Sequence, residues 1–121
     1  MRVLALLAVA GGLTAGLLLP QTAVARDPAY LQVVQKEWKL ELSRQRVQAG
    51  QVIVEAVDFG MDAHNLAVRR NAPGAPVFRL PAIQHGGHTD RTLRLTPGRY
   101  TLWCTLPGHR ARGMVATLVV R

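Results

Sequence analysis

One cysteine, Cys104, serves the whole 121-residue chain. An internal disulfide is excluded, and so is a structural zinc site built on several thiolates. Lysine is nearly absent too: Lys36 and Lys39 stand against thirteen arginines. Aromatic residues make up only 5% of the chain. That is too few to interleave with the basic side chains as a base-stacking surface does, so the composition gives no case for nucleic acid. No internal repeat or low-complexity segment is visible, and at this length the chain holds one domain at most. What charge there is leans one way. A formal net charge of +8 suits an acidic protein face or an anionic membrane surface as partner.

Charge is also missing from one end. Arg2 is the only charged residue before Arg26, and residues 3–19 form an almost unbroken apolar run. Pro20 follows, and Ala23-Val24-Ala25 then places small residues at the positions a signal peptidase reads. Residues 1–25 are thus expected to be a signal peptide, leaving a mature domain of residues 26–121 in the periplasm or secreted. The competing reading is an uncleaved membrane anchor, since the run is nearly long enough to span a bilayer. Gly11, Gly12, Gly16 and the A-x-A tripeptide favour cleavage. An unpaired thiol in an oxidising compartment is a hazard unless buried or occupied, which makes Cys104 a candidate ligand before any motif is considered.

Beyond residue 37 the pattern is that of strands. Trp38, Leu40 and Leu42 alternate with polar residues, and residues 51–59 are β-branched and largely apolar. His64 opens a further strand, residues 77–80 suit a short one, and residues 92–96 and 99–104 alternate around Pro97-Gly98, a pair suited to a type II turn. Residues 115–120 close the chain as a buried strand. Residues 47–50, 60–63, 71–76 and 84–90 read as turns or loops, and residues 27–37 fit either a capped helix or a strand. Seven or eight short strands without a clear helix predict an all-β, antiparallel Greek-key β-sandwich.

The loop after strand 99–104 carries Cys104, His109 and Met114, five residues apart. Thiolate, imidazole and thioether form a soft ligand set that suits copper, and one more histidine would complete a His2Cys centre with a weak axial methionine. Strand direction supplies it. If strands 51–59 and 99–104 both run toward the metal end, the loop 60–63 brings His64 beside Cys104. The loop 84–90, with His85 and His88, returns to that same end.

These segments resemble the cupredoxins, the small blue copper proteins. His64-Asn65-Leu66 with the preceding Ala49-Gly50-Gln51-Val52 is similar to their first-histidine segment. Residues 96–101, Cys104-Thr105-Leu106-Pro107-Gly108-His109 and Gly113-Met114 are similar to their last strands and ligand loop. The likeness covers residues 38–121, and the Cys-x4-His-x4-Met spacing is like the longer, rusticyanin-type loops of the family. It implies one type 1 copper ion on His64, Cys104, His109 and axial Met114, in a monomeric, non-enzymatic carrier of single electrons. It further implies that Asn65 ties its strand to the loop at Thr105, and that His109 is the electron port. Arg110 and Arg112 beside it would suit a redox partner, a cytochrome or an oxidase or reductase, with an acidic docking face. Two departures stand out. Asp58 occupies a position where the family often carries Asn, and the loop 84–90 has two histidines where a Pro-Gly turn is common.

Other chemistries fit less well. A Cys–His nucleophile lacks a third, orienting group, and a dinuclear copper centre needs two cysteines in this loop. Multicopper oxidases need several paired-histidine motifs and more domains. A copper carrier or store that never cycles electrons uses the same ligands, with His85 and His88 as relay ligands. Otherwise those two belong to a partner-docking surface or a weak second metal site or, most simply, are solvated loop residues.

Overall fold

A computed structural model describes residues 16–121. The expected export signal lies outside the described residues as far as residue 15. Residues 16–28 have no regular structure, and no helix among the described residues is long and apolar enough to cross a membrane.

Among the described residues nine strands form two sheets. The first has β1 (Ala29–Lys36), β2 (Lys39–Leu42), β4 (Gly50–Asp58) and β7 (His88–Leu95), in the order β2-β1-β4-β7. The second has β3 (Arg46–Val47), β5 (His64–Arg70), β6 (Val77–Ile83), β8 (Gly98–Trp103) and β9 (Val115–Val120), in the order β3-β9-β8-β5-β6. Alternation of burial along the strands explains the packing. Leu31 and Val33 of β1, with Val52 and Val54 of β4, meet Leu66, Val68, Leu102 and Leu118 of the other sheet, all fully buried or nearly so. Each such side chain contributes about 1.5–3 kcal/mol by leaving water.

The β-sandwich is as expected; its strand pairing is not wholly antiparallel. β1 runs parallel to β4, and β3 runs parallel to β9. The cause is the path between β1 and β4. The chain turns back along β2, crosses to the other sheet at β3, and so reaches the far pole before β4 begins. β4 then starts where β1 started and points the same way.

Other differences are local. Residues 27–37, left open above, supply β1, and the turn at Val47 contains the two-residue β3, which raises the strand count to nine. β6 continues through Pro81 because it is an edge strand, where a missing N–H breaks no ladder bond. The loop expected over residues 84–90 is shorter, since β7 begins at His88. A single helical turn, α1 (His109–Arg112), lies within the ligand loop.

Candidate metal centre

β4 and β8 end, and β5 begins, at one pole, and this pole gathers the predicted ligands. His64, the first residue of β5, and Cys104, just past β8, are both completely buried. His109, at the start of α1, is partly buried. The Nδ1 atoms of His64 and His109 are 3.2 Å apart, and Cys104 Sγ lies 3.5 Å from His109 Nδ1. One donor atom from each of the three lies within 4.8 Å of the others, and no other group of three close His, Cys, Asp or Glu donors occurs among the described residues.

The backbone of the loop fixes this convergence. Cys104 N–H donates to Met114 O, and Met114 N–H donates to His109 O, both at 3.1 Å. Met114 is thereby tied to two of the three converging residues, with its side chain completely buried. α1 is bounded by Gly108 and Gly113, both at positive φ. Gly113 has a second reason to be glycine: a Cβ there would stand 2.6 Å from Trp38 O.

Across the site Asn65 behaves as a brace. Its Nδ2 donates to Thr105 Oγ1 and its Oδ1 accepts from Thr105 N–H, both at 2.7 Å. This joins the residue after His64 to the residue after Cys104, as expected.

One wall of the site was not foreseen. It comes from the end of β1 and the turn into β2. Buried Gln35 donates from Nε2 to Asn65 O at 2.8 Å. Glu37 Oε1 is 3.0 Å from His64 Nε2 and accepts from Asp62 N–H at 2.7 Å, while Oε2 accepts from Met61 N–H at 3.0 Å. The Asp62 and Met61 amides hold the Glu37 carboxyl down to about 2. An anion facing Nε2 keeps the proton on that nitrogen and leaves the Nδ1 lone pair facing Cys104 and His109. Trp38 sets its ring edge-on to His109, with centroids 4.9 Å apart. Nothing local in the sequence marks Glu37, because its role rests on the parallel pairing that carries β1 to this pole.

The loops around His64 are sewn together. Gly86 N–H donates to Asp58 O at 2.7 Å and Asp58 N–H to Gly87 O at 3.0 Å, while His85 Nδ1 lies 2.6 Å from Gly60 O. His85 thus reaches the predicted pole but braces a loop there. His88 is an exposed residue of β7, paired with Val57, and neither histidine joins the converging group. Asp58 is buried with Oδ1 accepting from Gly60 N–H at 2.8 Å and Oδ2 unpartnered, and burial raises its pKa. Arg110 and Arg112 flank His109 as expected, their guanidinium groups 5.0 Å above the Trp103 ring and 4.5 Å above the Trp38 ring.

Soft and borderline donors at these separations fit a single copper ion. Donors about 2.0–2.3 Å from a first-row metal and in one plane stand roughly 3.5–4 Å apart. Comparison with known proteins agrees. Residues 31–121 match the family described as copper binding proteins, plastocyanin/azurin family. The chain belongs to the cupredoxins.

Solved structures show the same fold at low identity. Auracyanin from Roseiflexus castenholzii is 17% identical, with a TM-score of 0.63 over 80% of this chain and 99% of its own. Auracyanin A of Chloroflexus aurantiacus, a "blue" copper protein, is 15% identical, with a TM-score of 0.62 over 78% of this chain and 100% of its own. Rusticyanin from Thiobacillus ferrooxidans is 18% identical, with a TM-score of 0.61 over 78% of this chain and 79% of its own. No curated protein matches the sequence significantly. The cofactor of this cupredoxin is one copper ion of type 1.

Proposed function

We propose that this cupredoxin is an exported, monomeric carrier of single electrons and not an enzyme, with His64, Cys104, His109 and axial Met114 holding its copper. The observation that carries the reading is the convergence of two imidazole nitrogens and one cysteine sulfur within 4.8 Å, two of the three side chains completely buried. When bound, copper supplies one-electron chemistry by alternating between Cu(II) and Cu(I).

The rest of the work falls to the chain. The Asn65–Thr105 brace and the Cys104–Met114 backbone bond restrict ligand movement between oxidation states. Glu37 orients His64. Cys104 and His64 are closed to solvent, and partly exposed His109 offers the edge through which an electron enters and leaves. Arg110 and Arg112, beside that edge, suit a redox partner with an acidic face. Export rests on the N-terminal sequence: residues 1–25 act as the signal peptide and residues 26–121 are the working domain, periplasmic or secreted.

Absorption spectroscopy and electron exchange with a small redox mediator test the reading. The copper-loaded protein is expected to be intensely blue and to exchange electrons rapidly, and Cys104→Ser is expected to be colourless. A Cu(I) protein that surrenders its metal to a competing chelator and does not exchange electrons would be a copper carrier, and the proposal would fail.

A further inference from the structure

Most of the arginines of this protein do not sit around its metal centre. At the opposite pole, where β1 and β4 begin and β9 ends, Arg26, Arg44, Arg46, Arg94 and Arg121 line one open groove of about 870 Å³. All five are exposed, and Asp27 is the only acidic residue among them. The strand register sets Arg69, Arg70 and Arg99 at that same end. The other six carboxylates lie in the metal half or near mid-strand. Among the described residues no arginine forms an ion pair: the salt bridges engage only Lys36, Lys39 and His64. Unpaired guanidinium groups crowded at one pole repel each other, and a multivalent anionic surface would relieve that repulsion.

We infer that this arginine pole docks on anionic phospholipid headgroups. Guanidinium suits the task, since its planar fork binds phosphate oxygens in pairs. The groove opens to solvent, and the exposed arginines around it can reach several separate phosphates at once. The path of the chain points the same way. Arg26 and Asp27, the first residues of the working domain, line this groove, and β1 enters the sandwich there. The nine residues of β4 span roughly 25–30 Å between the poles. A protein seated on its arginines therefore holds His109 away from the bilayer, open to a partner.

Partition of the copper-loaded protein into vesicles tests this. Vesicles of phosphatidylcholine alone are compared with vesicles that also contain phosphatidylglycerol, at low and at high salt. The anionic-to-neutral ratio is the readout, because apolar contacts contribute to both compositions alike. Arg44→Gln with Arg94→Gln is expected to lower that ratio by roughly ten- to thirty-fold at low salt. Arg79→Gln with Arg91→Gln, the same charge change at mid-strand, is expected to lower it much less, and high salt should abolish the difference. An equal fall in both double variants, or no fall in either, would overturn the assignment. So would pole-dependent binding to poly-glutamate without a preference for the anionic vesicles, which would make an acidic protein the occupant. An unchanged blue band in each variant shows that the fold is intact and keeps this test separate from that of the metal centre.

Discussion

Glu37 Oε1 stands 3.0 Å from His64 Nε2, so a carboxylate from the end of β1 orients a candidate ligand at the start of β5. The same carboxylate receives the N–H groups of Met61 and Asp62. It therefore fixes both the ring and the loop that delivers it.

Replacing Glu37 by Gln removes that negative charge while keeping an acceptor for His64. The oxidised, more positive state of the copper loses more stabilisation than the reduced state, so the redox potential should rise with the blue colour retained. Glu37→Ala should also weaken copper affinity, by about 10–100-fold. Potentiometric titration and chelator competition read the two effects separately.

Gly60 lies against this pair. A Cβ there would be 2.6 Å from Glu37 Oε1 and 2.8 Å from His64 Nε2. Gly60→Ala should push the carboxylate off the ring and raise the potential in the same direction as Glu37→Gln. A double-mutant cycle should show the two effects to be less than additive.

Asn65→Ala breaks both bonds to Thr105. The expected cost is about 1–3 kcal/mol of unfolding free energy, measured by denaturant titration of the copper-loaded protein. Released from β5, the Cys104 loop should also exchange copper faster.

Asp58 brings a pH dependence of its own. Burial raises its pKa in the folded protein above the ordinary carboxylate range, so across that interval the folded chain holds a proton that the unfolded chain has lost. Its contribution favours the fold at low pH and declines as pH rises through the raised pKa. Asp58→Asn should remove this dependence and raise the melting temperature at neutral pH by a few degrees, with little change near pH 4. Parallel thermal melts of the two proteins at both pH values check the sign.

Much of this site is legible in the sequence. His64, Cys104 and His109 converge because two alternating strands end, and one begins, at the same pole, and strand direction can be counted along the chain. The Asn65–Thr105 brace followed from the family likeness. The His85 and His88 loop was placed at the correct pole, but pole membership does not decide contact. His85 turns to Gly60 O, and His88 faces solvent from β7.

The sequence by itself determined the strand periodicity, the β-sandwich and the soft donors, because each depends on residue type and short-range spacing. Only the tertiary structure decided what depends on contacts between distant segments. The parallel pairing of β1 with β4 brings Gln35, Glu37 and Trp38 to the metal pole. The register of the two sheets then gathers eight arginines at the other pole. Net charge is a sum and carries no direction; the fold gives it one.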